Sequence, residues 1–338
     1  MKFRPSFLPI PPRRGRIALV IALAAALGGC GGGANQTKLT LAGGSMSGAW
    51  SAISEGVANT LRRENHGVAI THEVGMDGAN AALVDTGRVQ LGMLHSAMGR
   101  LAIEGQPPYT KKYPNVRAIS RVYTDSAYHF LVREASGITS LEQIKEQRIP
   151  LRLSVMYRGS LMETASRLVL AAYGMSYEDI ESWGGKVYFR ALVPSMELMI
   201  DDSLDALALS VQFPETNITE ASVQHQFRLL PISEAAIAAV NQKLGTYRTV
   251  IPGGTYRFAP DPVATFSDNC VLIVNAQMPE QEVYDLTRAL FKNLDYLRSV
   301  HRSMKSLTGE TMSQVSNIPL HPGAARFYSE AGLLPPAL

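Results

Sequence analysis

From residue 38 onward, short β-rich runs alternate with longer amphipathic ones, and after Pro150 the alternation starts over. Residues 38–42, 68–73 and 89–94 read as strands, with helical spacing at 49–64 and 80–86 between them. The second series has strands at 151–155, 187–189 and 204–209 and helices at 160–173 and 194–200. Strands joined through helices form an open α/β sheet, so the pattern predicts two such sheets in succession. Ser45 follows the first strand of one series and Ser160 that of the other, 115 residues later, and Gln90 and Asp205 hold matching strand entries at the same separation. Chance similarity between two generic βαβ units is the alternative to a true repeat.

A long extended stretch at 116–132, interrupted near Asp125, suits a crossing from one lobe to the other, and past Tyr247 the chain should cross back. A strand-like run at 263–275 and an amphipathic helix at 280–300 follow, and the C-terminal segment is expected to complete the first lobe. The expected α/β architecture is therefore two-lobed, each lobe an open sheet, joined by hinge strands. Lobe I would comprise residues 38–125 plus about 250–338, and lobe II residues 126–249.

The first thirty residues bear on destination. Lys2, Arg4, Arg13, Arg14 and Arg16 precede an apolar run at 17–27, the order of a secretory signal, and the run is short of the roughly 20 residues a spanning helix needs. Leu27-Gly28-Gly29-Cys30 resembles the lipobox of bacterial lipoproteins, so residues 1–29 are expected to be removed and Cys30 acylated. Glycines 31–33 then open a flexible tether at 30–37. Removal of 29 residues leaves 309 of 338, more than one core usually supports. The chain carries 32 Lys and Arg against 29 Asp and Glu, but five of those bases lie in residues 1–29, leaving 27 against 29, a net −2. No concentrated basic surface remains to support nucleic-acid binding. Cys270, within an apolar strand-like run, reads as a small core residue.

Local enzyme motifs fail. Gly44-Ser45-Met46-Ser47-Gly48 lacks the central serine of a nucleophile elbow, and the seven histidines show no close ligand spacing, so neither a catalytic group, a metal site nor a cofactor is expected. What remains is a set of strand-to-helix turns. Ligands in open α/β sheets bind beyond the carboxyl ends of the strands, where backbone N–H groups and the positive helix end favour an anion. Gly44, Ser45 and Ser47 occupy one such turn, although helix capping by either serine would look the same in sequence. Tyr157, Arg158, Gly159 and Ser160 form the equivalent turn of the second lobe and add a cation. Asn80, His95, Ser96 and Gln212 would line the same crevice, with capping the alternative for Asn80 and a core role the alternative for His95.

Several of these segments resemble one family. Residues 43–50, which include Trp50, the strand entry at 87–94, Ile251-Pro252-Gly253-Gly254-Thr255-Tyr256, and residues 319–328 (Pro-Leu-His-Pro-Gly-Ala-Ala-Arg-Phe-Tyr) are similar to the TAXI solute receptors of TRAP transporters. The resemblance runs from about Lys38 to Gly332. It implies a periplasmic-binding-protein (Venus-flytrap) fold, no enzyme activity, and delivery of a small carboxylate, of the glutamate or 2-oxoglutarate kind, to TRAP membrane permease subunits. The ligand-lining turns of that family would map onto Ser45, Ser47, Asn80, His95, Ser96 and Gly159-Ser160. This chain differs in having His95 where a residue such as Gln is usual, and Met156-Tyr157-Arg158 where the turn is usually smaller. Those changes favour an anion with an extra group for Arg158 or a larger one stacked on Tyr157. The expectation is thus a monomeric, lipid-anchored protein of the periplasm or cell envelope that binds a dicarboxylate or acidic amino acid, the alternative being a ligand-sensing lipoprotein of the same fold.

Overall fold

The computed structural model describes residues 37–44, 49–64 and 68–334. The signal, Cys30, most of the tether, Ser45 and Ser47 lie outside these residues, and the first strand begins at Thr37, the position at which the tether was expected to end. Ten strands form one sheet: β1 (Thr37–Ala42), β2 (Val68–Glu73), β3 (Leu91–His95), β4 (Val116–Arg133), β5 (Arg152–Ser154), β6 (Lys186–Tyr188), β7 (Ala206–Val211), β8 (Phe227–Leu229), β9 (Tyr247–Ile251) and β10 (Val263–Asn275). The order is β2-β1-β3-β10-β4-β7-β5-β6, with β8 on β4 and β9 on β10.

The order contains the repeat. β2-β1-β3 is a parallel set closed by antiparallel β10, and β6-β5-β7 is a parallel set closed by antiparallel β4. The matching strand entries make matching bonds. Gln90 Oε1 accepts from the Thr40 amide at 2.9 Å, and Asp205 Oδ2 accepts from the Arg152 amide at 3.0 Å. The return bonds also correspond, Gln90 N to Thr40 O and Asp205 N to Arg152 O. A polar side chain ahead of the third strand of each set thus clasps the first, which chance likeness of generic units does not account for.

β4 and β10 run through both halves and pair with each other. At the crossing Asp125 takes φ +64°, a left-handed conformation that non-glycine residues adopt sparingly, and the register between the two strands shifts around Asp268 and Cys270. The interruption expected near Asp125 is therefore a kink within one strand.

Side chains alternate across the sheet with period two. Val271 and Ile273 of β10, Phe130 and Val132 of β4, and Ala206 and Ala208 of β7 join one hydrophobic cluster that continues through both halves. The residues between them face the other side, where the core is divided. Cys270, Leu272 and Val274 pack with Leu41, Ile53 and Leu286, whereas Leu131, Leu207 and Leu209 pack with Met196, Met199 and Ile218. Cys270 is fully buried, and burial pushes its thiol pKa far up. The expected helix at 280–300 is two helices, Glu280–Lys292 and Leu294–Val300. Asn293 separates them because its Nδ2 donates to the Ala289 carbonyl at 2.9 Å, competing with the helical ladder. Among the described residues no helix is long and apolar enough to cross a membrane.

Candidate functional site

A cavity of about 380 Å³ opens past the carboxyl ends of β1, β2, β3 and β5. The strand ends deliver its walls. Gly44 and Trp50 come from beyond β1, Gly75 to Ala79 from beyond β2, His95 from the end of β3, and Met156 to Ser160 from beyond β5, with Pro108, Tyr109 and Met162 completing the lining. Of the residues expected from sequence, Gly44, Trp50, His95, Tyr157, Arg158, Gly159 and Ser160 therefore meet around one space.

Asn80, Ser96 and Gln212 do not line it. Asn80 is fully buried and donates through Nδ2 to the carbonyls of Gly43 at 2.9 Å and Met93 at 2.8 Å, tying β1 and β3 together behind the wall. Ser96 donates to Asp268 Oδ1 at 2.6 Å. Gln212 bonds through its side chain to Tyr123, whose hydroxyl in turn accepts from Trp50 Nε1. Each of these polar groups supports the wall from the rear, a distinction that sequence spacing does not carry. His72 is partly buried and hydrogen-bonds Ser54 Oγ at 2.7 Å.

The start of the helix Leu161–Ala172 was expected to offer its N–H groups to a ligand anion, and the structure corrects this. Asp77 Oδ2 accepts from Leu161 N at 3.1 Å, Glu163 Oε2 accepts from Gly159 N at 3.4 Å, and Ser160 Oγ accepts from Glu163 N at 3.3 Å. The protein supplies its own acceptors there. Asp77, which the sequence reading passed over, is the central residue: its carboxylate also accepts from the His95 amide at 2.9 Å and faces His95 Nδ1 at 3.0 Å. Its signal was an isolated acid in the glycine-flanked turn Gly75-Met76-Asp77-Gly78, one residue type that the start of a helix favours. The two series of strands touch at this point. A Cβ on Gly78 would stand 2.1 Å from the Gly159 carbonyl oxygen, so only glycine permits the approach.

Burial lowers the His95 pKa, but the charge of Asp77, its hydrogen bond and the charge of Asp268 outweigh burial and leave it raised. Asp268 is itself held above the usual carboxylate range by burial. Arg158 is exposed, stacks its guanidinium 3.6 Å over the Phe189 ring, and has no carboxylate partner among the described residues. The Tyr109 hydroxyl is buried without a hydrogen-bond partner among the described residues, and burial together with the charge of Asp77 drives its pKa far above that of an ordinary phenol. Among the described residues no three His, Cys, Asp or Glu side chains converge to hold a metal ion.

The chain matches the model of the NMT1-like family over residues 41–332. It belongs to the NMT1-like family. Solved structures share the fold. MatC from Rhodopseudomonas palustris, with bound malate, is similar at 13% identity and a TM-score of 0.55, over 88% of this chain and 97% of that one. PhnD1 from Prochlorococcus marinus, in complex with methylphosphonate, is similar at 12% identity and a TM-score of 0.55, over 89% of this chain and 100% of that one. The chain thus has the fold of solute-binding proteins, and the family shown is different from the TAXI family its motifs resemble. Those motifs have structural work within the fold. Tyr256 of the first donates through its hydroxyl to His129 Nε2 at 3.0 Å and accepts from Glu215 N at 2.9 Å, while His321 of the second caps the helix Pro322–Glu330.

Proposed function

We propose that this NMT1-like chain is an extracytoplasmic solute receptor that captures a small organic acid between two lobes. The observation that carries the reading is the cavity itself: strand ends of both series wall it, and one hydrogen bond, Leu161 N to Asp77, already spans it. Arg158 supplies positive charge without a carboxylate partner among the described residues, and stacking on Phe189 presets its orientation. The lobes are proposed as residues 38–125 plus about 250–338 and residues 126–249, with β4 and β10 as the hinge strands. Closure would bend these two strands near Asp125 and Asp268, where the register is already irregular. One face of the sheet carries a continuous core and the other a divided one, a packing that lets the halves tilt about the continuous face.

Residues 1–29 would direct export and Cys30 would carry the lipid, placing a monomeric receptor on the membrane of the periplasm or cell envelope. The segments at 251–256 and 319–328 support a TRAP-type permease as the recipient. The receptor would retain its ligand unchanged rather than turn it over. Native mass spectrometry of the purified chain tests this: an intact acid retained in the folded protein is expected, and a chemically altered product would refute it. Calorimetry with the retained acid should find Arg158→Ala weaker by about 10- to 100-fold, the range of one charged hydrogen-bonded contact. Unchanged affinity would remove Arg158 from the site.

A further inference from the structure

The cavity wall is poorly matched to a ligand carrying two carboxylates. Trp50, Tyr109, Tyr157, Met76, Met156 and Met162 surround the space of about 380 Å³. Two of these residues leave apolar surface at the rim, Met76 being 57% and Tyr157 40% exposed. The cations of the wall are Arg158 and His95, and His95 already faces Asp77. Asp77 also fills the helix start at Leu161, where a second carboxylate would find backbone donors, and residues 45–48 add no charged side chain.

We propose that the ligand is an organic acid with one carboxylate on an apolar, ring-bearing body, a proposal that rests on the receptor reading and specifies its substrate class. The carboxylate pairs with Arg158, whose stacked guanidinium keeps its edge free for a bidentate contact. The ring packs among Trp50, Tyr109 and the three thioethers, which adapt to an aromatic face more readily than branched side chains do.

Phenylpyruvate and 2-oxoglutarate form a matched pair of probes, since they share the 2-oxo acid head and differ in a phenyl against a carboxylate-bearing body. Calorimetry on the full chain in detergent should find phenylpyruvate bound at least about tenfold more tightly, the advantage of burying a ring that replaces a second charge. Equal or tighter binding of 2-oxoglutarate overturns the class and leaves the receptor reading standing. Failure of phenylpyruvate to bind overturns it too, and the receptor reading falls with it only if native mass spectrometry also finds no retained small molecule.

Discussion

Replacing Asp77 with asparagine tests the electrostatic centre of the site at nearly constant shape. Asp77 is 8% exposed and its carboxylate serves three groups, the amides of Leu161 and His95 and the His95 imidazole. Removing one member of a buried pair costs about 3–5 kcal/mol, because the survivor is left uncompensated. Asparagine keeps one acceptor oxygen, worth roughly 1 kcal/mol, so Asp77→Asn should lose about 2–4 kcal/mol at pH 6. The sign with pH follows from His95. Its folded-state pKa is raised, so the stability its charge contributes is fully present below the unfolded value of about 6.5 and is lost as pH rises through the folded value. The gap between the native chain and Asp77→Asn should therefore be widest at pH 6 and narrow by pH 9. Urea unfolding followed by tryptophan fluorescence reads this directly, since the Trp50 ring lies 4.8 Å from that of His95. A gap that is the same at both pH values, or smaller than about 1 kcal/mol at pH 6, would refute the reasoning.

Gly78→Ala should drive the halves apart, since its Cβ would meet the Gly159 carbonyl oxygen at 2.1 Å; small-angle scattering should show a larger radius of gyration, and affinity for the retained acid should fall at least about tenfold. Unchanged scattering and affinity would mean that the two turns do not set closure. Tyr256→Phe leaves both His129 Nε2 and Glu215 N without their partner and should cost about 2–3 kcal/mol in urea unfolding. Burial depresses the His129 pKa to about 4, so that cost should stay constant between pH 6 and 8, unlike the cost at Asp77.

Strand and helix positions were largely legible because their signals are local. The β-rich runs of β1, β2 and β10 and the amphipathic helix Ala49–Glu64 appear within a residue or two of where the pattern puts them. The repeat was legible as spacing at Gln90 and Asp205, and the bonds to Thr40 and Arg152 give that spacing its physical cause. The site was legible only as turns. Which polar groups face the cavity and which serve the backbone behind it depends on where neighbouring strands end, so Asn80 and Ser96 could not be told from Arg158 by sequence position. Asp77 escaped for a related reason: its glycine-flanked turn marks an acid at a helix start, but its partner Leu161 lies 84 residues away. The break at Asn293 shows the same limit on a small scale, since continuous helical periodicity hides a single side chain that bonds its own backbone.

The exchange of closing strands has a consequence for the order in which the molecule assembles. β3 ends at His95, yet the neighbour that covers its far edge is β10, whose Cys270 stands opposite that residue. Until ribosomal synthesis has passed that point, the first parallel set has an open edge. Contacts of such long sequence separation slow the search for the native state. A nascent chain of this design stays unfinished for most of its length, and severing it between the halves would yield two fragments, each lacking a strand that only the other can provide.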